Sequence, residues 1–60
     1  MYKSVTEELP NHGDVCNIKL NEFLGVNVEA TFDAVLQIFT LSISGLRVGA
    51  DEVSEWELVP

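Results

Sequence analysis

Cysteine occurs once, at Cys16, so no disulfide can close within the chain, and a reducing compartment is the expected setting. Cations are almost as scarce. Lys3, Lys19 and Arg47 stand against ten carboxylates, giving a net charge of −7. That balance argues against nucleic acid and against anionic membranes as partners, because both are held by Lys and Arg. It favours solubility and, for any macromolecular partner, a basic surface. Long apolar runs are missing too. The longest apolar-rich stretch, about 34–43, is too short and too interrupted to span a bilayer. The opening Met1-Tyr2-Lys3-Ser4-Val5-Thr6-Glu7-Glu8 has no apolar centre and does not read as a signal peptide, so a cytoplasmic location is expected. A phosphate-cradling loop is also lacking, since Gly45 and Gly49 have neither the lysine nor the strand–helix context.

What the chain does have is concentrated between Val26 and Ile43. From Val26 to Phe32 the alternation is clean, with Val26, Val28, Ala30 and Phe32 on one side and Asn27, Glu29 and Thr31 on the other. Successive strand side chains face opposite ways, so this is a strand with one buried face. The run 35–43 has Val35, Gln37, Phe39, Leu41 and Ile43 in one row and Leu36, Ile38, Thr40 and Ser42 in the other. Its first half is apolar on both faces, which suits a central strand covered on both sides or one with a side buried in a partner. Asp33-Ala34 between the two runs would form a tight hairpin turn. A helix near 30–41 is the competing reading, because Phe32, Val35, Leu36 and Phe39 also fall at helical spacing. The many β-branched residues favour strands.

The rest follows in order. Residues 1–9 form an edge strand or an extended arm. Pro10-Asn11-His12-Gly13-Asp14 is a turn, with Pro fixing φ, Gly permitting positive φ, and Asn and Asp bonding locally. In the strand 15–20, Cys16, Ile18 and Leu20 share the buried side. Phe23 and Leu24 would cover one end of the core. Residues 44–51 read as a flexible loop in which Leu46 and Val48 pair briefly. In the last strand, 52–59, Ser54, Trp56 and Leu58 share one face, and Val53, Glu55, Glu57 and Val59 the other. The fold class is therefore all-β or β-dominated: one small antiparallel sheet of about four strands, near 15–20, 26–32, 35–43 and 52–59. The alternative is α+β with a helix near 30–41. A single domain of 60 residues buries only about 60% of its unfolded surface, which leaves a monomer marginal. With no disulfide and no visible metal cluster to help, a homo-oligomer is expected, most simply a twofold dimer formed through the apolar face.

Both ends of the chain are familiar. Tyr2-Lys3-Ser4-Val5-Thr6-Glu7-Glu8-Leu9-Pro10, followed by Gly13 and an apolar strand, resembles the opening of a family of small phage and prophage proteins of unknown function. Its members begin with an aromatic residue and S-V-x-E-x-L-P. They continue through A-x-(Y/F)-D, matched by Ala30-Thr31-Phe32-Asp33, and close on V-T-H-W-M-P-L-P, where this chain has Val53-Ser54-Glu55-Trp56-Glu57-Leu58-Val59-Pro60. Tyr2 stands where tryptophan is usual, Glu55 where histidine is usual, and Leu58 in place of the inner proline. The resemblance implies a phage setting in a bacterial cytoplasm and a small β-rich fold. It implies no active site.

Candidate chemistry is sparse. His12 and Cys16 are four apart across a turn, and two ligands do not complete a zinc site. A Cys–His nucleophilic pair needs contact and a third orienting group, for which Asp14 is the only nearby acid. A turn histidine and a core thiol explain both residues, so the chain is not expected to be an enzyme, and no metal or cofactor is expected. Glu55 and Glu57 flank Trp56 and point one way, with Asp51 and Glu52 just before them. These five residues are the candidate partner-binding set. A solvated outer face that keeps an edge strand from aggregating explains the same acids, and Trp56 suits the core. The leading expectation is a small acidic phage-type protein that occupies and inhibits a basic bacterial host or defence protein. The alternatives are an oligomeric sponge for a nucleotide-like metabolite, with Arg47 as its ligand-binding cation, and a structural or accessory subunit without a ligand.

Overall fold

The structure is a computed structural model, and it describes residues 1–22 and 27–60. They form one antiparallel sheet of six strands: β1 Lys3–Ser4, β2 Val15–Leu20, β3 Asn27–Asp33, β4 Ile38–Leu41, β5 Arg47–Gly49 and β6 Val53–Leu58. The strand order is β1-β6-β2-β3-β4-β5. A 3₁₀ turn, Ala50–Glu52, joins β5 to β6. No α-helix occurs among the described residues, so 30–41 is sheet and turn rather than helix, and no helix is long and apolar enough to cross a membrane.

The connection from β5 to β6 dictates the curvature. Those strands are four ladder spacings apart in the sheet order, roughly 19 Å if the sheet were flat. A 3₁₀ turn of this length advances only about 6–8 Å. The sheet must therefore curl, and its principal extents of 26 × 25 × 24 Å are those of a rolled body rather than a slab. The concave side holds the core: Cys16, Ile18, Ala30, Phe32, Phe39, Val53 and Trp56 are buried. Register explains the set. Ala30 opposes both Cys16 and Leu41, Phe39 opposes both Phe32 and Val48, and Ile18 opposes both Val28 and Trp56. The Phe32 and Phe39 rings meet at 4.8 Å between centroids, tilted by 48°, within the favourable range for aromatic pairs.

The buried row of β3 matches the alternation of the sequence, and the N-terminal arm lies along an edge, with Lys3 opposite Trp56 and Ser4 opposite Glu55. Val5 and Leu9 of that arm pack on the core. Val26, Phe23 and Leu24, assigned above to a strand and to the end of the core, lie outside the described residues.

Three expectations are corrected. The strand placed at 35–43 is only Ile38–Leu41. Residues 34–37 are a four-residue turn, not a tight Asp33-Ala34 hairpin, and Val35 and Leu36 are 84% and 60% exposed. Asp33 is the cause: its Oδ1 accepts hydrogen bonds from the backbone N–H of Val35 (2.9 Å) and Leu36 (3.1 Å), and His12 Nδ1 accepts one from Ala34 N (3.1 Å). These bonds hold the chain in a turn against its apolar composition. Residues 42–44 turn likewise, leaving Ile43 exposed. Second, 44–51 is not only a flexible loop, because it contains β5 and the first two residues of the 3₁₀ turn. Third, Val53 does not share a face with Glu55 and Glu57. Lys19 opposes Glu55 while Leu20 opposes Val53, so Ser54 is an extra residue in the ladder. This bulge turns Val53 into the core, where it is 1% exposed. Ser54 Oγ donates to Lys19 O at 3.1 Å.

Candidate partner-binding surface

The acidic end of the molecule is built by one asparagine. Asn21, just past β2, donates its backbone N–H to Glu52 O and its side-chain Nδ2 to Asp51 O, both at 2.9 Å. This fixes the 3₁₀ turn against the end of β2 and brings Glu22 to the same rim as Glu52. Both carboxylates line a cavity of about 200 Å³, with Leu20, Leu41, Leu46 and Val48 as its apolar wall. The cavity is the mouth of the rolled sheet, at the C-terminal ends of β2 and β4 and the start of β5. Glu52 is held further, since its Oε2 accepts from Gly49 N at 2.9 Å. Gly49 has an ordinary extended φ of −70°. Its reason for being glycine is space: a Cβ there would lie 2.5 Å from Asp51 Oδ1.

The sequence-predicted residues separate into four groups. Asp51 and Glu52 are exposed on the 3₁₀ turn. Glu55 and Glu57 lie on the convex face of β6, where Glu55 is 3.6 Å from Lys19 Nζ and Glu57 is 3.0 Å from the Met1 amine. Lys19 in turn sits 4.2 Å over the Tyr2 ring. Such exposed pairs contribute at most about 1 kcal/mol each. Trp56 is 3% exposed, inside the core. Its indole N–H is satisfied by Glu8 O at 2.8 Å, and Lys3 Nζ lies 5.2 Å from the ring. Arg47 is exposed opposite Thr40 on the convex face, while its neighbour Val48 turns into the mouth. It is therefore not part of the cavity wall.

Glu22, Leu20, Leu41, Leu46 and Val48 were not singled out from the sequence. No local spacing connects them; only the curl of the sheet does. His12 and Cys16 are engaged separately. His12 Nδ1 holds the 34–37 turn, and Cys16 is buried, its Sγ 3.8 Å from Asp14 O. Burial, with a smaller contribution from the Asp14 charge, pushes the Cys16 thiol up to about 11, which makes it a poor nucleophile. Among the described residues no three His, Cys, Asp or Glu side chains converge to hold a metal ion. No protein family, curated protein or solved structure matches this chain.

Proposed function

We propose that this chain is a small acidic binding protein of phage type, which works in a bacterial cytoplasm by occupying a basic surface on a host or defence protein and so inhibiting it. The observation that supports this reading most directly is the clustering of acid at one end. Asp51 and Glu52 on the 3₁₀ turn, and Glu22 beside them, have no cationic partner among the described residues. A protein of net charge −7 that leaves carboxylates grouped and uncompensated carries a field complementary to a basic partner. Val35 and Leu36, exposed on the 34–37 turn that Gln37 O ties to Ala50 N, support self-association into a dimer.

Ionic strength tests the reading. A host protein captured from bacterial lysate should lose affinity steeply as salt is raised, since exposed charges are screened within about 10 Å at 0.1 M. Neutralising Glu22, Asp51 and Glu52 together (Asp→Asn, Glu→Gln) should weaken the complex at low salt and flatten its salt dependence. Salt-insensitive binding would count against it.

A further inference from the structure

We infer that the mouth of the rolled sheet is a docking site for a basic side chain flanked by apolar ones, presented by a short segment of the partner protein. This rests on the acidic-binder reading above and gives it a contact point. The wall of the mouth is apolar, from Leu20, Leu41, Leu46 and Val48, and its rim is acidic, from Glu22 and Glu52. That pairing fits one class of side chain. Arginine and lysine have apolar stems and charged heads, so the stem lies on the wall while the head reaches the rim. Arginine fits better, because its planar fork donates to two carboxylate groups at once.

The site is built rather than incidental. Asn21 anchors the 3₁₀ turn through two hydrogen bonds, and Glu52 is steadied by Gly49 N. On the other side Leu46 is placed by a pair of 2.8 Å backbone bonds, Leu41 N to Leu46 O and Gly45 N to Leu41 O. Gly45 supplies the positive φ of 73° that this return requires. Leu46 is 60% exposed, an apolar side chain fixed in place at an open rim. Charge decides the occupant. No described cation pairs with either rim carboxylate, Lys19 being turned to Glu55 on the convex face and Arg47 away from the cavity. An anionic ligand would meet two like charges at the rim, and a wholly apolar one would leave them without a counter-charge.

The test uses the intact chain with labelled methyl groups and a capped hexapeptide alternating leucine and arginine. Saturable shifts of the Leu41, Leu46 and Val48 methyls are expected. Replacing the arginines by glutamine, or introducing Glu22→Gln with Glu52→Gln, should weaken binding about tenfold. The Glu52→Gln amide keeps an acceptor for Gly49 N, and an unchanged methyl spectrum without peptide checks that the variant is folded. Equal affinity for the arginine and glutamine peptides overturns the inference. So do shifts confined to the Leu58 and Val59 methyls beside Glu57 at the end of β6, though that outcome leaves the acidic-binder reading standing. Mouth methyls that shift on raising protein concentration alone would assign the site to a second copy of the chain and likewise overturn it. Failure of both the peptide and the salt test removes the two readings together.

Discussion

The indole Nε1 of Trp56 donates a 2.8 Å hydrogen bond to the carbonyl oxygen of Glu8, joining the last strand to the N-terminal arm. Only two residues of that arm, Lys3 and Ser4, are in the ladder. Val5 N also donates to Ser54 O at 3.2 Å, and beyond it the indole bond and the packing of Val5 and Leu9 hold the arm in place. Trp56→Phe removes the donor and leaves the Glu8 carbonyl without its partner, at a cost of about 1–3 kcal/mol. Chemical denaturation measures the loss. Trp56 is the only tryptophan, so the variant's transition is followed by far-UV circular dichroism, while in the parent the emission should be blue-shifted when folded and move to the red in the same transition.

The bulge at Ser54 makes a sharper distinction. In a regular ladder Val53 would face solvent with Glu55, and shortening either side chain would cost little. With Val53 turned inward, Val53→Ala should cost about 2 kcal/mol, between the losses for one methyl and for leucine to alanine. Glu55→Ala should stay within about 0.5 kcal/mol, since its pair with Lys19 is exposed. Equal effects of the two substitutions would mean that the extra residue is not where the register shift puts it.

How much of this was legible depends on whether one face of a segment is buried without irregularity. In β2 and β3 the buried residues Cys16, Ile18, Ala30 and Phe32 alternate with polar ones, and the sequence reads directly. Parity fails at Val53, because a single inserted residue exchanges the faces and leaves no mark in the composition. It fails at Val35 and Leu36 for a different reason. Their apolar character suggested strand, while the Asp33 carboxylate accepts from their backbone N–H groups, the His12 imidazole accepts from Ala34 N, and the chain stays turned. Asp33 at the head of the segment was the available signal. The candidate mouth had none, since Leu20, Leu41 and Val48 meet only once the open sheet has curled. The acids at 51–57 were visible as a run, but which of them share a rim with Glu22 depends on the two bonds from Asn21.

Cys16 links stability to alkaline pH. Its thiol titrates near 9.0 when unfolded and is pushed to about 11 in the fold, chiefly by burial and further by the Asp14 charge. The folded state therefore holds its proton where the unfolded state has lost it, and this contribution is present in full below about pH 9. It declines as pH rises from there through the folded value, by an amount of order 2 kcal/mol. Tyrosine and lysines titrate in the same range, so the comparison is with Cys16→Ala. The variant should lose less stability between pH 9 and pH 11 than the parent, though it starts lower because of the volume removed. Parallel pH profiles would show that the thiol does not contribute.

Gln37 is where the fold bears a local cost. It is the only described residue other than glycine with positive φ, at 54°, a conformation that costs an L-residue with a Cβ about 1–2 kcal/mol. The position is held because the Gln37 carbonyl accepts from Ala50 N at 3.0 Å, tying the 34–37 turn to the start of the 3₁₀ turn. Gln37→Gly keeps that carbonyl and removes the Cβ. The gain is offset in part by the greater freedom of glycine in the unfolded chain. A net stabilisation of about 0.5–1 kcal/mol is expected, read as a higher denaturation midpoint at unchanged m-value. Gln37→Pro would be strongly destabilising, since proline cannot adopt positive φ. If the glycine variant is instead less stable than the parent, the backbone at 37 is not left-handed in solution, and the tie to Ala50 must be made in some other geometry.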